Sequence, residues 1–206
     1  MPPTALHNLA DTPLETAGEY LDMIFQGALP PLHTAPSVKM RECSFKKATL
    51  DTAKLIKLSL TNASLADSSL AGTTLSESSL DDVAFANSRL TGIVFSEARL
   101  EDCAFKDCAL NMALFRFASL KNVRFERCNL QNADFLEASM KNVAFVDCSL
   151  EAADFSRAKL IKVDLRSSKL DELKGIASLK GAIISSQQLI GLSYSLAVEV
   201  GIDVED

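Results

Sequence analysis

The chain has 206 residues, of which 48% are hydrophobic and 23% charged, as is typical of one folded domain with a substantial core. Its formal net charge of −6 argues against nucleic-acid binding through excess Lys and Arg, because affinity for a polyanion comes largely from neutralising its phosphates. The sequence has neither a basic and then apolar leader nor a run of about 18 apolar residues, so we expect a cytoplasmic protein that contacts no membrane.

Residues 1–37 form an N-terminal segment that contains all six prolines and one predicted helix. The helix is expected over residues 12–27, because Thr12 and Glu15 have capping-box spacing and Pro13 stands at the first helical position. Apolar residues follow at helical spacing, namely Leu14, Ala17, Leu21, Ile24 and Phe25. Such a capping helix would cover the first turn of the repeated region that follows.

Residues 38–172 are a repeat with a period of five. Every fifth residue from Met40 to Leu170 is Leu, Phe or Met, and a small or slim side chain such as Cys43 or Val83 stands two positions earlier. This period fits neither a helix nor a flat strand, whose side-chain periods are about 3.6 and 2. The chain must therefore turn a corner once per repeat, and four sides make a coil of twenty residues.

The distribution of phenylalanine supports a four-sided cross-section. Sorted at intervals of twenty, the large residues place Phe in two opposite columns, while the other two columns contain none. The two columns are Phe45, Leu65, Phe85, Phe105, Phe125, Phe145, Leu165 and, opposite them, Leu55, Leu75, Phe95, Phe115, Phe135, Phe155. Stacked rings in these columns would fill the axis of the coil.

These residues resemble the pentapeptide-repeat family, whose motif is approximately A(D/N)LXX. The motif stands as Asn-Ala-Asp-Phe-Leu at 132–136 and as Asn-Ala-Ser-Leu-Ala at 62–66, and the resemblance covers residues 38–172. The expected fold class is all-β, a right-handed quadrilateral parallel β-helix with short N-terminal and C-terminal capping helices; the handedness is implied by the resemblance. Asp or Asn before the central residue is uncommon here, which affects the surface more than the fold.

We expect no catalytic residues, no metal site and no cofactor. The five cysteines occupy inward small positions, and a straight ladder of such residues does not converge four ligands on a metal. They are Cys43, Cys103, Cys108, Cys128 and Cys148. No repeat carries an insertion that could build the concave site that catalysis needs. The protein is therefore expected not to be an enzyme.

One candidate interaction surface is acidic. It consists of Asp81 and Asp82 on one coil and Glu101 and Asp102 on the next, and we call it the acidic patch. Stacked coils would place these like charges about 5 Å apart, which destabilises a ladder. The patch is therefore either tolerated by solvent or retained for a basic partner.

A second candidate surface, the apolar patch, lies beside Phe95, Phe115 and Phe135. Its outward residues are Val94, Leu114, Phe117 and Leu136. Contiguous exposed apolar area usually marks an interaction site. The alternative is that these residues contact a terminal helix of the same chain.

Residues 173–206 are predicted to cap the last coil or to join two chains. Ser185 and Gln188 indicate a capped helix that Gly201 ends. This stretch also resembles the tails of topoisomerase-protecting pentapeptide-repeat proteins of the Qnr and MfpA type, and that resemblance implies a homodimer. The expected dimer interface is Leu189, Leu192, Leu196, Ala197, Ile202 and Val204.

The expected function is a non-enzymatic protein-binding surface. The most specific version, implied by the resemblance, is a mimic of duplex DNA that binds DNA gyrase or topoisomerase IV and protects it from fluoroquinolone-like inhibitors, without binding nucleic acid itself. Residues 38–172 contain as many basic as acidic residues, which weakens the electrostatic basis for mimicry. A general interaction scaffold and a regulatory or immunity protein without topoisomerase binding stay open.

Overall fold

The computed structural model describes residues 5–205, so residues 1–4 and 206 of the two flanking segments lie outside the described residues. The chain forms a right-handed quadrilateral parallel β-helix of about nine turns, which confirms the predicted fold class. A short 3-10 helix, Ile176–Leu179, and one α-helix, α1 (Ser186–Glu199), follow the main body of the solenoid.

The strands of the solenoid are short and belong to one 14-stranded parallel sheet. In chain order they are β1 Ala5–Asn8, β2 Glu19–Leu21, β3 Met23–Ala28, β4 Lys39–Arg41, β5 Ser44–Thr49, β6 Ser59–Ala66, β7 Ser79–Ala86, β8 Arg99–Glu101, β9 Ala104–Lys106, β10 Ser119–Lys121, β11 Arg124–Glu126, β12 Ser139–Val146, β13 Lys159–Asp164 and β14 Ala182–Ile183.

Neighbouring coils pair with a register of twenty residues. Leu60 lies opposite Leu80 where β6 meets β7, and Phe125 lies opposite Phe145 where β11 meets β12. Each coil therefore places a residue directly over its counterpart on the coil below, so the side chains form straight ladders along the axis.

At each corner of the solenoid, one residue has a left-handed backbone conformation. Every fifth residue from Ala17 to Lys162 has a positive φ, and at the non-glycine positions φ lies between 47° and 62°. This conformation is unfavourable for residues with a Cβ atom, so local preference alone does not explain it. The parallel ladders on both sides of each corner hold it in place.

The core is filled by two columns of stacked rings, as the positions of phenylalanine predict. In one column the ring centroids of Phe85 and Phe105 are 4.6 Å apart, and in the opposite column those of Phe115 and Phe135 are 4.9 Å apart. The columns also meet edge to face, with Phe115 and Phe125 at 6.0 Å. Both arrangements are favoured by the charge distribution of aromatic rings.

The predicted N-terminal helix over residues 12–27 is wrong. In its place the chain forms β2 and β3, which pair in parallel with β4 and β5. Ala17 and Asp22 are left-handed corner residues with φ of 54° and 56°, which no α-helix accommodates. The physical reason is that pairing with the next coil satisfies the backbone along two strands, and this outweighs the local capping signals.

The C-terminal helix forms where the sequence predicts it. The side chain of Ser185 accepts a hydrogen bond from the backbone of Gln188, and the Gln188 side chain accepts one from the backbone of Ser185, which completes a capping box. The helix is followed by Gly201 with φ of 78°. It packs across the end of the solenoid through Leu192, which is buried.

Candidate functional site

The side chains available for function stand on the faces and corners of the rod, because the inward positions are filled by the core. Asp82, Asp102 and Phe117 are corner residues with φ of 52°, 53° and 59°. A corner residue projects away from both adjoining faces, so these side chains are the most prominent of the two predicted patches.

The structure brings the acidic patch together but neutralises part of it. Asp81 lies opposite Glu101 in the ladder between β7 and β8, and Glu101 lies opposite Lys121 one coil further. Glu101 forms ion pairs with Lys121 and Arg99, and hydrogen bonds from these two cations hold its pKa below the ordinary value. The repulsion expected between Asp81 and Glu101 is thereby offset by Arg99 on the same coil as Glu101 and by Lys121 on the next coil.

Asp102 is bound by an amide ladder rather than by a cation. The side chain of Asn122 donates to Asp102 at 2.8 Å, and that of Asn142 donates to Asn122 at 3.1 Å. In the part of the chain that the structure describes, Asp81 and Asp82 form neither an ion pair nor a side-chain hydrogen bond. They are both exposed, as is Asp102, whose amide partner does not neutralise its charge, so the patch keeps three carboxylates without an ion pair among the described residues.

The same neutralisation occurs beyond the patch. Arg127 donates to Asp107 at 2.7 and 2.9 Å and also pairs with Glu126, whose second partner is Arg124 at 3.2 Å. These contacts lower the pKa of Asp107 and of Glu126. Because these carboxylates pair with Lys and Arg on the same or the next coil, we expect the rod to have a weak electrostatic field with local acidic points.

The structure also brings the residues of the apolar patch together. Val94 and Leu114 are paired across neighbouring coils and are half-buried, and Leu136 on the next coil is half-buried as well. Phe117 stands at the corner with 52% of its surface exposed. We missed Met112, which is 58% exposed at the other corner of the same face. Its place on the coil, five residues before Phe117, could have identified it.

The residues predicted for a dimer interface divide between two environments. Leu192 is buried, and Leu196 and Ala197 are half-buried; Leu192 and Leu196 pack on the core of their own chain. The other three, Leu189, Ile202 and Val204, are exposed. Exposed apolar side chains that sequence reasoning missed follow one stripe of α1 at intervals of four residues, and these are Ile190, Tyr194 and Val198.

The cysteines are buried thiols and none is in a disulfide. Cys108, Cys128 and Cys148 occupy equivalent positions on three consecutive coils, and the backbone N–H of Cys128 donates to Cys148 Sγ at 3.4 Å. Burial raises the pKa of Cys103 to about 11. The Cys103 thiol is therefore unreactive at neutral pH, since the thiolate is the nucleophile.

Within residues 5–205, no three His, Cys, Asp or Glu side chains are grouped so that they could hold a metal ion. The described helices include none of the length and apolarity required to cross a membrane. A cleft of about 620 Å³ lies between the last coil and α1, where Leu170 and Gln188 contribute to its walls.

Comparison with known proteins identifies the repeat. A family model described as pentapeptide repeat region matches residues 38–115 and 98–174. No curated protein matches the chain. Among solved structures, full-length QnrB1, a plasmid-mediated fluoroquinolone resistance protein, is 16% identical with a TM-score of 0.44, covering 96% of this chain and 95% of its own.

Two further solved structures are similar. HetL, a pentapeptide repeat protein involved in heterocyst differentiation regulation from Nostoc sp. strain PCC 7120, is 16% identical with a TM-score of 0.33. The match covers 83% of this chain and 91% of HetL. A pentapeptide repeat protein from the Arabidopsis thaliana thylakoid lumen is 20% identical with a TM-score of 0.35, covering 54% of this chain and 71% of its own.

Proposed function

Because this chain belongs to the pentapeptide-repeat family, we propose that it is a non-enzymatic solenoid whose outer surface binds another protein. The observation that supports this function is that inward residues and corner residues of the repeat have separate roles. Large and small inward residues form a closed core, and corner residues present a regular array of side chains at the spacing of the coils, about 4.8 Å. Such an array suits recognition of a second surface.

The specific partner that we propose is a type II topoisomerase, DNA gyrase or topoisomerase IV, bound by mimicry of duplex DNA. About nine coils at about 4.8 Å make a rod of roughly 43 Å, longer than one turn of B-DNA at about 34 Å. Asp81 and Asp82 supply exposed, unpaired carboxylates near its middle. The ion pairs elsewhere on the rod limit the electrostatic attraction, so affinity depends strongly on these two residues.

The test is a gyrase supercoiling assay titrated with the protein, with and without ciprofloxacin. The wild-type protein should inhibit supercoiling or reduce drug-stabilised cleavage at micromolar concentration. Asp81→Asn combined with Asp82→Asn should weaken the effect about tenfold, since two lost charge contacts are worth roughly 1.4 kcal/mol. Asp147→Asn, which removes an exposed corner carboxylate elsewhere, is the matched control. An inert wild-type protein would rule out topoisomerase binding.

The apolar patch favours a second candidate function, a general interaction scaffold or a regulatory or immunity protein without topoisomerase binding. Phe117 is a large aromatic side chain, half exposed, at a corner that a polar residue could occupy. Aromatic anchors of this kind dominate the energetics of protein interfaces. Phe117→Asp should abolish capture of a partner from lysate while Asn132→Asp, at an exposed corner of the same face, should not.

We also propose that two chains associate through the C-terminal segment. The support is the exposed apolar surface of α1 and of the residues after it. Leu192→Glu is a poor test because Leu192 is buried in its own chain, and its replacement would loosen the last coil. Light scattering of the wild-type protein should give the mass of two chains.

A further inference from the structure

Three cysteine thiols are stacked along one column of the core. Cys108, Cys128 and Cys148 lie at equivalent positions of three consecutive coils, next to residues that are bridged in parallel register. Each thiol donates to the carbonyl oxygen two residues earlier, at 3.3, 3.5 and 3.4 Å respectively, so the three side chains point the same way. Adjacent sulfur atoms are therefore separated by roughly the coil spacing of about 4.8 Å.

This separation matches linear coordination of a soft metal ion. A bond between a thiolate sulfur and a d¹⁰ ion is about 2.3 Å long, so a linear sulfur–metal–sulfur unit spans about 4.6 Å. The unit needs only two ligands, fewer than the groups of three that are lacking within residues 5–205. A disulfide would need sulfur atoms about 2.05 Å apart, so the two coils would have to move toward each other.

Of the two adjacent pairs, Cys128 and Cys148 form the pair that a ligand can reach. A cleft of about 400 Å³ runs along the corner beside them, and both cysteines contribute to its walls. Cys108 does not line this cleft. A metal ion can therefore approach the two sulfur atoms from solvent, although each cysteine is only 2% exposed.

The surroundings of this pair favour negative charge on sulfur. The backbone N–H of Cys128 donates to Cys148 Sγ at 3.4 Å. Lys169 lines the cleft without an ion pair in the described part of the chain, together with Arg127 and Asp147. Hydrogen bonds and nearby cations of this kind stabilise ligating thiolates.

We propose that Cys128 and Cys148 bind one Cu⁺ ion as a linear two-thiolate complex that joins two coils. The ion replaces the proton of each thiol, so that Cu⁺ and two thiols give a complex of charge −1 and two protons, which pass to water. No electron is transferred. Soft thiolate ligands favour Cu⁺, whereas Zn²⁺ prefers four ligands and Mg²⁺ prefers oxygen ligands.

The experiment measures Cu⁺ binding to the reduced protein in the absence of oxygen. Bicinchoninate, a coloured Cu⁺ chelator, competes with the protein and reports its affinity. We expect one tightly bound ion per chain in native mass spectrometry, with two sulfur ligands and no nitrogen or oxygen ligand in its X-ray absorption spectrum. Bound Cu⁺ should also raise the melting temperature, because the two ligands are held together only in the folded protein.

Cys148→Ser tests the pair directly. Serine fits this column, since Ser88 and Ser168 occupy equivalent buried positions on other coils. Loss of one of two ligands should raise the dissociation constant for Cu⁺ about a hundredfold or more and should remove the rise in melting temperature. Cys43→Ala is the control, because Ala63 occupies the equivalent position on the next coil, and this variant should bind Cu⁺ as the wild type does.

Cys108→Ser separates the two adjacent pairs. It should also bind Cu⁺ as the wild type does, and a loss of affinity in this variant overturns the assignment to Cys128 and Cys148. The site itself is overturned if Cys148→Ser keeps the wild-type affinity or if the wild-type protein cannot compete with bicinchoninate. Loss of two hydrogen atoms without uptake of metal would show that the thiols form a disulfide instead. Circular dichroism verifies that all four proteins fold.

Discussion

At the scale of the residue, the corner positions combine two demands. Each must adopt a positive φ so that the chain turns, and each presents its side chain to solvent. Glycine satisfies the first demand at Gly72 and Gly92, but most corners use residues with a Cβ atom, including Phe117. The backbone strain at such sites is of the order of 1 kcal/mol and is tolerated because ladders on both sides fix the conformation.

Leu32 offers a direct test of that strain. It has φ of 58° and is 68% exposed, so its side chain contributes little packing. Leu32→Asn should raise the free energy of unfolding by about 0.5–1 kcal/mol, because Asn adopts the left-handed conformation more readily than Leu. Urea denaturation measures the change.

Gly72→Ala is the reciprocal experiment for the same argument. The glycine has φ of 65°, and an added Cβ would lie 3.7 Å from the nearest atom, an ordinary contact. The conformational strain alone should lower stability by about 1 kcal/mol. Equal stability in both variants and the wild type would show that the corners are not strained.

At the scale of the element, the two aromatic columns are continuous in the later coils and interrupted in the earlier ones. Leu65 stands between Phe45 and Phe85 in one column, and a small cavity of about 10 Å³ lies beside it, lined by apolar side chains. The interruption leaves the earlier coils less densely packed, since the cavity walls lack partners on one side.

Leu65→Phe should restore the column. The new ring would stack between Phe45 and Phe85, and each ring pair is worth about 0.5–1.5 kcal/mol beyond its buried area. We expect a net gain of about 1 kcal/mol in the free energy of unfolding, measured by urea denaturation. Leu120→Phe, buried between Leu100 and Met140 and away from the cavity, is the control and should lose about 1–3 kcal/mol through overpacking.

The ion pairs of Glu126 with neighbours on its own coil predict a pH dependence. Hydrogen bonds from Arg127 and Arg124 hold the pKa of Glu126 below its ordinary value. The stabilisation is therefore complete at neutral pH and is lost as the pH falls below the ordinary Glu pKa of about 4.3 and through the lowered value. Glu126→Gln should reduce the fall in melting temperature between pH 7 and pH 3.

The control for this pH profile is Glu97→Gln, because Glu97 has no ion pair in the described part of the chain. It should leave the profile as in the wild-type protein. If Glu126→Gln melts with the wild-type dependence on pH, the ion pairs of Glu126 are too well screened by solvent to contribute.

The ion pairs of Glu101 show which part of the candidate site could be predicted from the sequence and which part could not. The period of twenty correctly places Asp81 over Glu101, because the register follows from the repeat. It does not show that Glu101 turns toward Lys121 and Arg99, since a long side chain chooses among rotamers according to all its neighbours. Likewise, helix periodicity identifies an apolar α1 without showing that Leu192 faces inward and Ile190 outward.

At the scale of the whole molecule, the two ends of the rod differ in how predictable they are. The N-terminal residues carry local helix signals, but the coil above them supplies strand partners, so β2 and β3 form instead. At the C-terminal end no complete further coil follows within the described residues, and α1 forms as its sequence predicts. Local propensity decides the structure only where no long-range ladder competes with it.

Gln188 closes the C-terminal end, and its removal should loosen that end alone. Its side chain accepts from the N–H of Ser185 at 2.8 Å and donates to two carbonyls of the last coil. Gln188→Leu removes these three hydrogen bonds, so we expect a loss of about 2–3 kcal/mol in local stability.

Stacked coils interact mainly with their neighbours, so the effect of Gln188→Leu should decay within one or two coils. Hydrogen exchange should therefore accelerate at the amides of residues 163–169 and stay unchanged around Phe105. Gln187→Leu, one residue earlier and without a hydrogen bond from its side chain in the described structure, is the control. Faster exchange spread evenly along the rod would instead mean that the solenoid unfolds as one cooperative unit.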